Sequence, residues 1–535
     1  MRRLLVANRG EIALRIFRAA HALEIETAAV VAPDDRGSLH ARSADATIEI
    51  ASYLDPAEHV RAARESGADS VHPGYGFLSE SAELAEAVLA AGLTWVGPPP
   101  SALRAGGDKL AAKRTAREAG VPVLPIGTPA DVGYPLLVKA AAGGGGRGMR
   151  IVRDPAELDD AVDAARREAA AAFGDDTVFF ERYLERPRHV EIQLLADTHG
   201  TVLALGERDC SIQRRHQKVL EESPSPALDA GLRAQMSDAA VAFAQAIAYE
   251  SAGTAEFMLD GRDFYFLELN ARIQVEHPVT ELVTGVDIVQ EQLRIADGGR
   301  LDLQPQLQGH AVEVRLYAED ARTFLPQAGR VERLRLPAGV RVDTGVEEGD
   351  EIGTSYDPMI AKLIAHGRTR DEALDRLAVA LRETEVGGVT TNLPFLRWLV
   401  SHPLVRAGHT TTAFLTEHPP MSEAPPRAPG PAWSGAWRLN LAVPAPRPVP
   451  DVDAAAHELG PTPELAAIAA PMPGTVIRVL VEPGARVAAR QPLVVLEAMK
   501  METPLVAPYD GTVKAVHVAE GDRVAGGMVL VELED

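Results

Sequence analysis

The sequence predicts a mixed α/β chain of several domains that closes with a small all-β domain. Three observations carry this expectation. The first 100 residues alternate short apolar runs with amphipathic segments, a glycine-rich turn joins two strands near the middle, and a segment near the C-terminus occurs twice. At 535 residues the chain is too long for one hydrophobic core.

Residues 4–7 (Leu-Leu-Val-Ala) read as a strand, and 11–23 as a helix with Ile12, Ile16 and Ala20 on one stripe. Residues 28–32, 70–72 and 94–96 read as further strands. This rhythm builds a parallel sheet with crossover helices, assigned to a subdomain over 1–124. Its first turn is Asn8-Arg9-Gly10-Glu11 and lacks Gly-x-Gly-x-x-Gly, which argues against nicotinamide or flavin binding.

A second subdomain is assigned to 125–204. Leu136-Leu137-Val138-Lys139 reads as a strand, Gly143-Gly144-Gly145-Gly146-Arg147-Gly148 as a turn, and Met149-Arg150-Ile151-Val152 as a second strand, before a helix over 154–172. Glycines let backbone N–H groups approach phosphate oxygens closely. The turn joins strand to strand rather than strand to helix, so it is not a Walker loop. By itself it fits a flexible hairpin tip; with Lys139 at its base, a flap over a nucleotide is an equal reading.

The third subdomain spans 205–417 and mixes long strands with helices, one over 228–249 with Leu232, Met236, Phe243 and Ile247 on a stripe. Gln213-Arg214-Arg215-His216-Gln217-Lys218 is a basic cluster in an acidic chain. It is either a solvated loop or a source of charge-assisted contacts to anions. In Glu268-Leu269-Asn270-Ala271-Arg272-Ile273-Gln274-Val275-Glu276 every second residue is polar, so an extended strand puts Glu268, Asn270, Arg272, Gln274 and Glu276 on one face. A solvated strand face alternates too, but with lysine and threonine rather than this set. Asp260-Gly261 marks a hairpin whose register, centred on Arg262, sets Glu256 opposite Glu268. Like charges so placed destabilise a sheet unless a cation lies between them. Two carboxylates with Asn270 suit magnesium.

Twelve prolines between Pro419 and Pro463 mark 418–465 as a stiff, extended linker, interrupted by a candidate docking patch, Trp433-Ser434-Gly435-Ala436-Trp437. In the all-β domain at 466–535, the segment from Ala470 repeats 37 residues later from Ala507: Gly474-Thr475-Val476 matches Gly511-Thr512-Val513, and Leu493-Val494 matches Leu530-Val531. Two such copies are expected to pack as a symmetric β sandwich or barrel, with Lys500 on the exposed turn between them.

Composition narrows the function. A net charge of −22 argues against nucleic-acid binding. The single cysteine, Cys210, permits no intrachain disulfide and suits a reducing compartment. The sequence has no apolar stretch of about 18 residues for a membrane span and no signal peptide, so a cytoplasmic location is expected.

Ala498-Met499-Lys500-Met501 within its repeat resembles the biotin carboxyl carrier domain, whose family attaches biotin to that lysine. The alternatives are an ordinary surface lysine and the related lipoyl carrier, whose lysine has an acidic and a small neighbour. Residues 2–415 resemble the ATP-grasp fold of biotin carboxylase. The motifs are Ala7-Asn8-Arg9-Gly10-Glu11-Ile12-Ala13, His72-Pro73-Gly74-Tyr75-Gly76-Phe77-Leu78-Ser79-Glu80, the glycine turn, 213–218, and Arg272-Ile273-Gln274-Val275-Glu276-His277-Pro278. Together the chain resembles the α subunit of bacterial acyl-CoA carboxylases of the acetyl-, propionyl- or methylcrotonyl-CoA type.

The resemblance implies ATP- and bicarbonate-dependent carboxylation of biotin through carboxyphosphate. It places Lys109, Lys139, Gly145, Gly146, Glu181, Arg182, Tyr183, Leu184, His189, Gln213 and His216 around ATP. Glu256, Glu268 and Asn270 would hold Mg2+ or Mn2+, and Lys218, Arg272, Gln274 and Val275 would hold bicarbonate. Glu276 would act as base, Arg315 would face the biotin ureido oxygen, and Lys500 would carry the biotin. Implied partners are a carboxyltransferase β subunit in a hetero-oligomer and a biotin protein ligase; the acyl-CoA is chosen by the β subunit. Relatives often place a β-rich docking domain between carboxylase and carrier, of which only Trp437-Arg438-Leu439-Asn440 is reminiscent here. Two other readings are a bicarbonate-using ligase such as carbamoyl phosphate synthase, which has no use for Lys500, and a non-catalytic carrier, against which the intact set Lys139, Lys218, Glu268, Arg272, Glu276 and Arg315 stands.

Overall fold

The computed structural model describes residues 1–141, 149–173, 175–214, 217–420, 466–470, 474–498, 501–524 and 528–534. Gly145, Gly146, His216 and Lys500 lie outside the described residues, as do 421–465 of the expected linker with its tryptophan patch.

The N-terminal strands form a five-stranded parallel sheet in the order Ala46–Glu49, Glu26–Val31, Arg3–Val6, Ser70–His72, Thr94–Trp95. Its central strand is covered on both faces, Leu5 by one core and Leu4 and Val6 by another, which is why that strand is a continuous apolar run. The helix Gly10–Ala22 buries Ile12, Ile16 and Ala20, the expected stripe. The Asn8 amide reaches across from the end of the first strand and donates to the carbonyls of Pro73 and Tyr75, at 2.7 Å each. This close approach fixes the residue between them. Gly74 has φ of +65°, and a Cβ there would lie 2.9 Å from Asn8 Nδ2.

The lid is a four-stranded sheet in the order Ile126–Gly127, Val178–Arg182, Leu136–Ala140, Arg150–Val152. Leu136 pairs with Val152 and Val138 with Arg150, so strands do flank the glycine segment. The helix Leu158–Phe173 adds Ala165 to a small core with Leu136, Val138 and Val152. The lid is shorter than the 125–204 expected. Arg188–Ala196 pairs with Val202–Arg214 and Ser251–Asp260 in the central sheet. Its Val190, Ile192 and Leu194 share a core with Leu232, Met236 and Phe243 of the helix Ala230–Ala246.

The central sheet has eight antiparallel strands in the order Asp263–Asn270, Ser251–Asp260, Arg188–Ala196, Val202–Arg214, Gln217–Ser223, His310–Tyr317, Met359–Gly367, Arg341–Thr344. The expected hairpin is present and Glu256 faces Glu268. The turn falls between Gly261 and Arg262, and an irregularity after Glu256 restores the one-residue offset. The strand expected over 268–276 ends at Asn270. Ala271 and Ile273 turn inward, Glu276 is the N-cap of the helix His277–Thr284, and Pro278 in the first turn suits a helix start.

The C-terminal domain is two four-stranded sheets that exchange strands between the repeats. Arg486–Val487 of the first copy pairs with Gly511–Val516 of the second, and Arg523–Val524 of the second pairs with Gly474–Val479 of the first. Equivalent residues of the two copies share one core: Ala470 and Ala507, Val476 and Val513, Val487 and Val524, Leu493 and Leu530, Val494 and Val531. Only Met499 and Lys500 separate Ala498 from Met501, which pair across neighbouring strands.

Candidate active site

Lys218, on the strand Gln217–Ser223, sits among three carboxylates. Its ammonium lies 2.8 Å from Glu256 and 2.7 Å from Glu276, and also bonds Glu191. These acids come from a strand, the N-cap of a helix and a second strand. They hold the ammonium well above the usual lysine range although burial opposes its charge. His189, Glu191 and Glu256 each bring a donor atom to within 4.8 Å of the others, a gap that the ammonium bridges.

Glu276 is fully buried and held between two cations, Lys218 on one oxygen and Arg315 Nη2 at 2.8 Å on the other. Burial would raise its carboxyl, but Lys218 and Arg315 outweigh that and keep it well below the usual range, hence ionised. Arg315, on His310–Tyr317, lies 2.6 Å from Glu221 as well. Its Nε has no hydrogen-bond partner among the described residues, and neither has Gln274 Nε2. Two buried donors are thus available beside an ionised acid.

Arg272 organises the segment after the strand. Its guanidinium donates to Asn270 Oδ1 and Gln274 Oε1, both at 3.0 Å, and its Nε lies 3.4 Å from Glu80. Asn270 donates to Glu256 at 2.9 Å. The Val275 carbonyl accepts from the fully buried Lys362 at 2.8 Å. The row read from sequence therefore does converge, although its second half is not a strand.

Glu256 also lies 2.9 Å from His189. Burial opposes its ionisation, but Lys218 and His189 prevail and keep its carboxyl well below the ordinary range. Glu268, opposite, is pushed up by burial and then by the Glu256 charge, with Lys109 pulling the other way. A pair of carboxylates facing each other beside an amide oxygen is a hard-oxygen donor set, which fits a magnesium or manganese ion.

The nucleotide-side residues are brought together in part. Lys109 opens the helix Lys109–Glu118, its amine lowered by burial with Glu268 opposing. Lys139 and the buried Lys113 both bond Glu181. The Glu181 side chain is therefore committed to two lysines, while Arg182 and Tyr183 donate their N–H groups to Pro125 and Pro135 and Leu184 is half-buried. Gln213 turns back to donate to the Cys210 carbonyl. Arg214 is no solvated anion contact: it is buried, bonds Glu319 and lies over Tyr317.

Sequence reasoning missed Glu191, Arg208, Glu221 and Lys362. Arg208 is fully buried, bonds Glu191, Gln193 and Thr280, and contributes to the field on Glu276. One signal was available: His189, Glu191 and Gln193 alternate with Val190, Ile192 and Leu194, a second polar row of period two.

Comparisons with known proteins match four successive segments of the chain. Residues 1–103 match the family described as biotin carboxylase, N-terminal domain; 108–304 match carbamoyl-phosphate synthase L chain, ATP binding domain; 313–417 match biotin carboxylase C-terminal domain; and 466–533 match biotin-requiring enzyme. A biotin carboxylase of Halalkalibacterium halodurans is 45% identical over 441 residues, 78% of this chain and 98% of that protein. The mitochondrial methylcrotonoyl-CoA carboxylase subunit alpha of Oryza sativa is 48% identical over 443 residues, and the chain spans 60% of its length. A propionyl-CoA carboxylase alpha chain of Ruegeria pomeroyi is 46% identical, with 68% of it covered. Among solved structures, the biotin carboxylase domain of Hydrogenobacter thermophilus 2-oxoglutarate carboxylase, in complex with MgADP, ADP and bicarbonate, superposes with TM-score 0.76 at 42% identity, over 78% of this chain and 98% of that one. A Campylobacter jejuni biotin carboxylase does so with TM-score 0.76 at 38% identity, over 78% and 99%.

Proposed function

The chain belongs to the biotin carboxylase family and ends in a domain of the biotin-requiring type, and from that premise we propose that it is the α subunit of an acyl-CoA carboxylase. It carries out the first half-reaction, the ATP- and bicarbonate-dependent carboxylation of biotin on its own Lys500. A separate carboxyltransferase subunit completes the reaction and selects the acyl-CoA, and a biotin protein ligase loads Lys500. The observation that carries this reading is one ionised carboxylate, Glu276, clamped between Lys218 and Arg315 beside the Gln274 amide nitrogen, which has no hydrogen-bond partner among the described residues, and next to the Glu256–Glu268 pair.

In this reading Lys109 and Lys139 contact the nucleotide phosphates, Gly145 and Gly146 close over them, and His189, Gln213 and His216 complete the site. Residues 181–184 meet the adenine edge through backbone atoms, since the Glu181 carboxylate is engaged elsewhere. Glu256, Glu268 and Asn270 would hold Mg2+ or Mn2+, which when bound would supply charge neutralisation on the phosphates. Lys218, Arg272, Gln274 and Val275 hold bicarbonate. Glu276 takes its proton, a role that requires a general base to lie within hydrogen-bond reach of the bound bicarbonate. The resulting oxyanion attacks the γ-phosphate to give carboxyphosphate and ADP, and carboxyphosphate breaks to carbon dioxide and phosphate. Biotin, when attached at Lys500, would supply a ureido nitrogen as the acceptor for carbon dioxide, its N–H proton passing to the released phosphate. Arg315 aims a permanent positive charge at the ureido oxygen, electrostatic stabilisation by a donor already in place.

The test is ATP cleavage with and without bicarbonate and free biotin. Wild type is expected to need both. Glu276→Gln, which keeps size and loses the base, is expected to fall by about 10²- to 10⁴-fold. Bicarbonate-dependent cleavage that ignores biotin would instead favour a carbamoyl-phosphate-synthase-like ligase. A streptavidin blot tests the carrier separately: Lys500→Ala abolishes the signal from protein made with an active biotin ligase, and a persisting signal overturns the assignment.

A further inference from the structure

Arg315 has two acidic partners on one nitrogen. Its Nη2 lies 2.8 Å from Glu276 Oε2 and 2.6 Å from Glu221 Oε1. Glu276 is the base in the reading above, so it loses its charge once it has taken the bicarbonate proton. At that moment Arg315 loses one of the contacts that orient it, just before it is needed at the ureido oxygen. Glu221 is not on the row of residues that faces bicarbonate. It lies three residues along the strand from Lys218 and is fully buried; neither of its oxygens has a hydrogen-bond partner among the described residues, so its close contact to Arg315 is an ion pair. Across the sheet it pairs with Glu313, also fully buried, while Arg315 pairs with Lys362.

We propose that Glu221 is a positioning residue for this reaction, holding the Arg315 guanidinium in place while Glu276 carries the bicarbonate proton. The surroundings of Glu221 favour such a role. Arg315 and Glu313 face it from the neighbouring strand, Glu276 from the helix N-cap, Lys218 from its own strand and Cys210 from the strand on the other side. Burial raises its carboxyl to about 7, with Arg315 pulling it down and the Glu276 charge pushing it up. Neutralising Glu276 removes that push, so Glu221 becomes the more strongly ionised partner when Arg315 needs one. Glu313, pushed well above the ordinary range chiefly by burial, does not compete for the guanidinium.

The inference rests on Glu276 as base and Arg315 as the cofactor-facing donor, and the experiment separates the two. Full-length protein is assayed for ATP cleavage with free biotin as the varied substrate, alongside thermal melting. Glu221→Gln is expected to lower kcat/KM for free biotin about tenfold, the scale of one lost buried charge contact, with KM for ATP and bicarbonate unchanged. It is also expected to remove an inflection near neutral pH from the biotin-dependent rate. Wild-type kcat/KM and pH profile in this variant overturn the proposal. So does an equal loss in all substrate parameters, which marks a merely structural role. If E221Q does not fold, Glu221→Asp carries the test. It keeps the charge, so the inflection is expected to persist with weakened biotin kinetics, and unchanged biotin kinetics overturn the proposal. Wild type lacking biotin-dependent cleavage would sink the functional reading itself.

Discussion

Individual buried groups set the chemistry and also the acid limit of the fold. His40 and His72 are both held down to about 4, chiefly by burial, from an ordinary value of 6.5. The folded state keeps them neutral, whereas the unfolded chain takes up protons as pH falls below 6.5. Their contribution is therefore complete above that value and is lost progressively as pH falls towards 4, by about 3 kcal/mol for each. Glu221 runs the other way, its stability contribution declining as pH rises from about 4.5 towards 7. The check is thus a difference: urea unfolding of wild type and His40→Gln at pH 7.5 and pH 5, with a shallower pH dependence expected in the variant. At this scale sequence revealed Lys218, Arg272, Glu276 and Arg315 through a family motif. It did not reveal Arg208 or Lys362, because a buried cation is recognised only by its partners. Glu191 for the one, and Glu11 and the Val275 carbonyl for the other, lie far away in sequence.

Elements were legible where the pattern is local. The Asp260-Gly261 turn marked the hairpin, although Glu256 meets Glu268 only through the irregularity after Glu256, and the 37-residue repeat marked the paired sheets of the C-terminal domain. The strand end at Asn270 was not legible, because polar alternation continues through a segment whose side chains bond one another instead of extending. The lid boundary was missed for a similar reason: Arg188–Ala196 follows the lid in sequence but finds its apolar partners in another core. One element-scale prediction concerns the clasp between the Asn8 turn and the 72–80 segment. Gly74→Ala places a methyl 2.9 Å from Asn8 Nδ2 at a left-handed backbone position. A loss of about 1–3 kcal/mol is expected in urea unfolding. Asn8→Ala, which leaves two buried carbonyls unpaired, is expected to cost a similar amount.

For the whole molecule, attachment of carboxylase and carrier to one chain is itself a catalytic device, since a tethered substrate is present at high effective concentration. Cleaving the chain within 421–465 is expected to leave carboxylation of free biotin unchanged. Carboxylation of the carrier should then become dependent on protein concentration, as followed by ATP cleavage in a dilution series; independence from dilution would show that the halves stay docked. The exchanged strands of the carrier set one more condition, on biosynthesis. Because Val529–Glu534 bridges the opening strand Ala466–Ala469 and Gly511–Val516, neither half of that domain has a complete sheet before the other is made. If Lys500 is modified as proposed, a ribosome that stalls after that lysine has emerged would display no finished target to the modifying enzyme, and truncated chains are expected to go unlabelled.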